Sequence, residues 1–428
     1  MKQIILAVRM LKKDWKSNVY YTVMLAIVSA TAFIFGGISQ NVYLQVAMDT
    51  NLYGKLIPRY SEFIIMIVVG FSLFLAFHAY LYALKRKSQE LKLIKAAGGS
   101  LIKMTVFLSI QNIICILLGS IGGLLIGLII QTLIHFIIYT YLNIQAPYFM
   151  IDITSMIDSF LIHIFSFVIT TILGCGYIHR NEIQNLSDQR TDWTKDKRIV
   201  RFPSFIHIFL YVLGIIMFLT AEDETLLMGA IAYSLIGCCG ASGLIRQKVC
   251  EILRQSIYKK ERMDKIQNIV FHSLIYTLKQ NFLLVLGLLF SSTAMMSWTI
   301  SCVNQPKEFI VAFLSFICSL ILLYSSAFSM FLTECKKRES DYELLWKCGF
   351  SFHDILIMVR KEIVMFYSII FGFSIVYIIL MLVRFILLDS THFVVAIGLL
   401  LSYLVILMSM LILTILCVCR HMKRYQRG

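Results

Sequence analysis

Charge and proline are what this chain has least of. Only 15% of its 428 residues are Asp, Glu, Lys or Arg, and only 4 are proline. So little charge cannot coat a water-soluble protein whose composition is 59% hydrophobic, which excludes a string of ordinary soluble domains. Scarce proline among abundant apolar side chains also excludes a disordered or collagen-like chain. The 11 cysteines are scattered through apolar stretches and basic loops, so they do not build the disulfide framework of a small secreted domain. Neither Cys238 with Cys239 nor Cys417 with Cys419 has the further ligands of a closed zinc site, and all are expected to act as small buried hydrophobes. Catalytic signatures are missing as well: there is no His-Glu-x-x-His and no Gly-x-Ser-x-Gly. Residues 98–104 place a glycine and a lysine at suggestive spacing, but lack the second glycine and the hydroxyl of a phosphate-cradling loop. The chain is therefore expected to be no enzyme and to carry no cofactor or metal of its own.

What the sequence does have is long apolar runs. Mean hydropathy is +0.81, and ten stretches are long enough to cross about 30 Å of hydrocarbon. They lie near 19–39, 61–83, 105–130, 156–178, 203–220, 226–245, 282–303, 308–333, 363–386 and 393–418. Backbone polar groups cannot stay unpaired in lipid, and none of these runs alternates as a barrel strand does, so each is expected to be an α-helix. The expected fold class is an all-α polytopic membrane protein of about ten transmembrane helices.

The formal charge of +15 sits between those helices on one side. Of the 39 Lys and Arg residues, only Lys55, Arg59, Lys307 and Arg384 fall on the opposite side from the rest. That asymmetry predicts that both termini are cytoplasmic. Attraction to anionic lipid accounts for the cations, so no nucleic-acid partner is expected. Residues 3–16 read as an amphipathic helix lying on the inner surface, because a cationic run follows the first apolar residues and no cleavage site is placed for a signal peptide.

An internal repeat carries the most information. Lys85-Arg86-Lys87-Ser88-Gln89-Glu90-Leu91-Lys92-Leu93-Ile94-Lys95-Ala96-Ala97-Gly98-Gly99-Ser100 lies between the second and third spans. Lys336-Lys337-Arg338-Glu339-Ser340-Asp341-Tyr342-Glu343-Leu344-Leu345-Trp346-Lys347-Cys348-Gly349-Phe350-Ser351 lies between the eighth and ninth. At one constant offset the cationic triplet, the acids Glu90 and Asp341, the aliphatic pairs Leu93-Ile94 and Leu344-Leu345, the glycines Gly98 and Gly349, and the serines Ser100 and Ser351 coincide. Lys16-Ser17-Asn18 and Lys279-Gln280-Asn281 echo each other before the first span of each half. The division expected is a first four-helix unit with its interfacial helix (1–180), a central helix pair with linkers (181–265) and a second four-helix unit (266–428). Both units enter from the same side, so the duplication is parallel, and such units commonly face each other across a pseudo-twofold axis.

Each repeated loop reads as a short amphipathic helix stopped by glycine, with Leu91, Ile94 and Leu101 available to a groove and charges on the other side. The alternative is a solvated connector, but a topology signal needs only positive charge, whereas here the acid, aliphatic pair and glycine recur too. Basic residue, acid, aliphatic cluster, glycine and serine between the second and third helices of a four-helix unit resembles the coupling segment of FtsX-like permeases of type VII ABC transporters. The ten-span plan is similar to the bacitracin and antimicrobial-peptide resistance branch. That resemblance implies ATPase-coupling roles for Lys87, Glu90, Leu93, Ile94, Lys95, Gly98, Ser100, Arg338, Asp341, Leu344, Leu345, Trp346, Gly349 and Ser351. It further implies two copies of a cytoplasmic ABC ATPase as partners, with ATP and Mg held there, an amphipathic peptide or lipid-linked substrate, and residence in a bacterial cytoplasmic membrane. The large extracellular domain of that branch is absent: about 301–307 separates the seventh and eighth spans, and the outer loop 40–60 is short, leaving ligand recognition to spans and loops such as 143–158.

Two other functions stay open. One is a signalling permease that relays ATPase state to a sensor histidine kinase. The other is an ion-coupled secondary transporter, for which intramembrane ionisable groups would be needed. The acids lie in loops or near span ends, and His78, His135 and His163 are expected to be neutral and hydrogen-bonded between helices. Gly119, Gly123 and Gly127 form a smooth ridge on the third span, either a sliding surface or, the preferred reading, static close packing.

Overall fold

The computed structural model describes residues 2–13, 15–41, 43, 57–150, 153–183, 203–220, 223–259, 265–303, 306–388 and 392–426. The outer loop 40–60 beyond position 43, the linker cations Arg190, Lys195, Lys197, Arg198 and Arg201, and most of the boundary segment 181–202 lie outside them. Every regular element among the described residues is helical, as the obligation to pair backbone groups in hydrocarbon requires.

In chain order the helices are α1 (Lys2–Lys13), α2 (Trp15–Ser39), α3 (Ile57–Arg86), α4 (Ser88–Ala96), α5 (Leu101–Leu142), α6 (Ile153–Ile183), α7 (Ser204–Thr220), α8 (Asp223–Leu244), α9 (Cys250–Lys259), α10 (Lys265–Gln280), α11 (Phe282–Ser301), α12 (Pro306–Lys337), α13 (Glu339–Lys347), α14 (Phe352–Leu388) and α15 (His392–Gln426). A π-helical turn, Ile245–Val249, joins α8 to α9. Seven of these helices contain spans long and apolar enough to cross a membrane: Asn18–Ser39, Leu101–Leu142, Ile153–His179, Phe282–Ser301, Pro306–Lys336, Phe352–Arg384 and Phe393–Met422. Met66–Leu81 and Ser204–Thr220 are shorter apolar helices, and the remaining expected stretch lies in α8. The protein is thus an all-α, multi-pass membrane protein.

The chain forms two compact units, Met1–Ile199 and Val200–Gly428. In the first, α2 is the inner helix and packs on α3, α5 and α6. Glycine permits the α2–α5 approach. A Cβ at Gly119 would sit 2.7 Å from Leu25 Cβ, one at Gly127 would sit 3.1 Å from Phe33 Cδ1, and one at Gly123 would strike the Ala26 carbonyl and Ser29. Polar groups tie the same helices together: Tyr21 donates to Asn112 Oδ1 at 2.7 Å, Asn112 donates to Thr170 at 2.7 Å, and Ser29 Oγ donates to the Ser120 carbonyl at 3.2 Å and lies 3.2 Å from Ser159 Oγ.

The second unit repeats the plan with α11, α12, α14 and α15, and takes in the α7–α8 pair, whose α8 packs on α11. Cys238 Sγ lies 3.1 Å from Thr293 Oγ1, and the Phe218 and Tyr377 rings meet edge-on at 6.2 Å. The connection between the seventh and eighth spans is as short as expected, with α11 ending at Ser301 and α12 starting at Pro306. An amphipathic helix also precedes the inner helix of each unit, α1 ahead of α2 and α10 ahead of α11. The buried face of α1, Ala7 and Leu11, packs on α5, and Gln111 Nε2 donates to the Ala7 carbonyl at 3.3 Å. The N-terminal helix therefore has a protein surface to rest on besides any lipid.

Candidate functional site

The two repeated segments fold alike to the level of single hydrogen bonds. In each, the preceding long helix halts for one residue, Lys87 (φ −79°, ψ 0°) or Arg338 (φ −94°, ψ 12°), and a nine-residue helix follows. The halt does not interrupt the backbone ladder, since Lys87 and Leu91 bond to the Ala83 and Lys87 carbonyls as Arg338 and Tyr342 bond to those of Glu334 and Arg338. Glu90 and Asp341 lie in the first turn, and Lys95 and Lys347 in the last. Each sign complements the helix dipole.

Both helices end in the same left-handed stop. Gly98 (φ +77°) and Gly349 (φ +91°) are the two positive-φ glycines among the described residues. Gly99 N–H reaches the Ile94 carbonyl at 2.9 Å and Gly98 N–H that of Lys95 at 2.9 Å, while Phe350 reaches Leu345 at 3.2 Å and Gly349 reaches Trp346 at 3.0 Å. This six-to-one and five-to-two pairing is a Schellman stop, and a Cβ at the left-handed residue would cost about 1–2 kcal/mol. The chain then turns directly into the third long helix of its unit. At 42 and 37 residues, α5 and α14 extend about 63 and 55 Å, well beyond the hydrocarbon thickness, so each runs from its short helix through the whole span.

Outward-facing residues agree as well. Leu93 is 64% exposed and Leu344 58%, Ile94 and Leu345 are half-buried, Glu90 and Asp341 are half-buried, and Gly98, Gly349, Ser100 and Ser351 are exposed. Trp346, 67% exposed, replaces half-buried Lys95. Both short helices thus hold large apolar side chains open on the same face.

Several expected positions sit elsewhere. Leu91, read as available to a groove, is 2% exposed and fixes α4 inward; it is Leu93 that faces out. Lys87 and Arg338 are both buried, so they anchor their helices from within. His135 bridges as expected, its Nδ1 3.3 Å from the Tyr148 carbonyl and its Nε2 3.5 Å from Asn41 Nδ2. His163 does not: it is buried with neither ring nitrogen hydrogen-bonded. His78 is buried edge-on against Phe74 at 4.6 Å.

The arrangement that sequence reading missed surrounds Arg338. Its guanidinium binds Glu362 at 2.9 and 3.1 Å, Thr277 Oγ1 at 3.0 Å and Ser273 Oγ, with Glu334 at 3.7 Å and the Tyr276 ring 5.6 Å away. Glu362 in turn accepts from Ser273 at 2.5 Å and Thr277 at 2.7 Å. Burial is the largest influence and opposes the arginine charge, but Glu362, Tyr342 and Glu334 together outweigh it and hold the guanidinium more firmly protonated than usual. Burial also lifts the neighbouring Tyr342 phenol well above its ordinary range, so it stays neutral. Two four-residue spacings, Glu334 to Arg338 and Ser273 to Thr277, carried a helical signal for this cluster, but nothing in sequence brought Glu362 to it.

No protein-family model matches this chain, and no curated protein matches it.

Proposed function

We propose that this chain is the membrane-spanning permease of an ATP-driven transporter of the FtsX-like, type VII class, coupling two copies of a separate ATPase to the movement of an amphipathic peptide or lipid-linked molecule. One observation carries the reading: two short helices, 251 positions apart in the sequence, share their halt, their glycine stop and their outward leucine. Connectors that served only as topology signals would need cations, not a matched fold. Each short helix leads without slack into a helix longer than the bilayer is thick, so force applied at Leu93 or Leu344 reaches the far end of α5 or α14. The ATPase contact is assigned to Leu93, Ile94 and Lys95 in one unit and to Leu344, Leu345 and Trp346 in the other, ATP and Mg remaining on the partner.

Leu93→Glu with Leu344→Glu tests this directly. The intact permease is expected to copurify with an ATPase whose hydrolysis rises in its presence, and the double substitution to remove both while leaving the membrane-inserted protein folded. Hydrolysis that stays stimulated in the double variant rejects the docking role. Flux of labelled peptide or lipid-linked substrate into proteoliposomes then separates transport from a signalling role.

A further inference from the structure

In the first unit, α6 turns a polar stripe inward. Ser155, Ser159, His163, Ser166 and Thr170 are all buried, and their spacing of three or four residues sets them on one helix face. Elsewhere on the same stretch Ile157, Leu161, Phe165 and Val168 are exposed, so the helix is apolar outside and polar within. Two hydrogen-bonded nodes fix the direction of the stripe. The Ser159 hydroxyl donates to the Ser29 carbonyl of α2 at 3.2 Å and lies 3.2 Å from Ser29 Oγ, which donates to the Ser120 carbonyl of α5 at 3.2 Å. Further along, Thr170 Oγ1 accepts from Asn112 of α5 at 2.7 Å, and Asn112 Oδ1 accepts from Tyr21 of α2 at 2.7 Å.

His163 stands between these nodes on the same face, directed at the same two helices. It is 1% exposed, and neither ring nitrogen is hydrogen-bonded to a protein group. A neutral imidazole carries one N–H donor and one acceptor nitrogen. Leaving both unpaired away from solvent is costly, and buried polar groups that the protein does not satisfy are characteristically met by ordered water. The neighbours one helical turn away on the stripe, Ser159 and Ser166, are hydroxyls. A water on this face can therefore meet a ring nitrogen and a hydroxyl, the two or more polar partners that an internal water needs.

We propose that His163 is an internal hydration site of the first unit, where water held between α2, α5 and α6 donates to one ring nitrogen and accepts from the other. The ligand is water because hydroxyls, and no carboxylate or thiolate, flank the imidazole on its stripe. At the two nodes the helices bond to one another directly; at His163 water supplies the partners that the helices do not. The site is independent of the permease reading, which needs only the short helices.

Solid-state NMR of the isotope-labelled full chain in nanodiscs, with magnetisation transferred from water, tests this. Both His163 ring nitrogens are expected to receive water magnetisation several-fold faster than the exposed Phe165 ring beside them, and to show the shifts of a hydrogen-bonded neutral imidazole. The Ser166 side chain is expected to receive it as well. His163→Leu removes both nitrogens and is expected to abolish the transfer to Ser166, with the signals of the other histidines unmoved. Absence of transfer to His163 in the intact protein, or nitrogens bonded to another side chain instead, overturns the site. Transfer to Ser166 that persists in the folded variant does the same. Where the variant does not fold, the measurement on the intact protein decides alone.

Discussion

The two units bury their leading span in different ways, and the third span explains why. Carried onward from the repeated short helices, the common offset aligns Gly119, Gly123 and Gly127 of α5 in sequence with Ile370, Ser374 and Ile378 of α14, all buried. Against glycine, α2 comes close enough for backbone contact with α5. Against isoleucine no such approach is possible, and α11 instead gains α8 as a neighbour. The serine contact persists: Ser29 meets Gly123 in one unit, and Ser292 Oγ lies 2.9 Å from Ser374 Oγ in the other. The two units therefore share the short helix and the serine contact, while small-residue packing in one and an added helix pair in the other are alternative ways to enclose the same helix.

The largest expected effect attacks the Arg338 cluster. Glu362→Leu strands Arg338 in a buried site and is expected to destabilise the second unit by about 3–5 kcal/mol. Gln111→Leu, at the equivalent position of the first unit, removes one bond to the Ala7 carbonyl and should cost about 1–3 kcal/mol. Adding Arg338→Met to Glu362→Leu is expected to recover most of the loss, because the pair is replaced by apolar volume. Thermal unfolding of the purified variants checks the order; equal losses from Glu362→Leu and Gln111→Leu would mean that the buried carboxylate contributes no more than the amide at the equivalent position.

Next comes the ridge. Gly123→Leu must displace the Ala26 carbonyl and Ser29, an overpacking expected to cost about 1–3 kcal/mol or more. Ser374→Leu at the equivalent place is expected to cost less, since Ile370 and Ile378 already hold α11 away. Static packing predicts that transport falls in step with stability. A Gly123→Ala variant whose transport falls much further than its melting temperature would restore the sliding reading instead.

How much of this was legible in the sequence follows from which interactions are local. Span positions, the two glycine stops and the register of Leu93 with Leu344 were readable because helix length, left-handed glycine and an i-to-i+5 hydrogen bond are written in neighbouring residues. The inward turn of Leu91 was not, since both Leu91 and Leu93 lie on a nine-residue helix whose buried face is chosen by α3 and α5. Nor was the Arg338–Glu362 pair, separated by 24 positions and brought together only where the residue after α12 meets α10 and α14. In sequence the three basic residues of each triplet look alike, with Lys87 and Arg338 expected at the docking surface. Burial singles out Lys87 and Arg338, a distinction that depends on helix phase relative to neighbours not encoded nearby.

The glycine stops should respond alike, and that equality tests the repeat itself. Gly98→Ala and Gly349→Ala each force a left-handed alanine, at about 1–2 kcal/mol; neither Cβ would meet another atom within 4 Å, so backbone strain is the whole effect. Matching losses of helix protection in α4 and α13 are expected by hydrogen exchange. A clearly smaller loss at one site would mean that its segment ends differently from its counterpart.

The smallest effect separates the two serines that begin the third spans. Ser351 Oγ accepts from Asp354 N–H at 3.1 Å, and Asp354 Oδ2 accepts from the Ser351 amide at 3.0 Å and hydroxyl at 2.7 Å, closing a reciprocal cap on α14. Ser100 occupies the same cap position on α5, yet its side chain makes no cap hydrogen bond; three residues on stands Lys103, which cannot return one to the serine amide. Ser351→Ala is therefore expected to cost about 1 kcal/mol, and Ser100→Ala only a few tenths. Lys103→Asp is expected to supply the missing acceptor and raise the cost of a subsequent Ser100→Ala toward that of Ser351→Ala, measured as the difference in melting temperature across the cycle. If the cycle shows no coupling between positions 100 and 103, the serines differ for a reason other than the residue three places downstream.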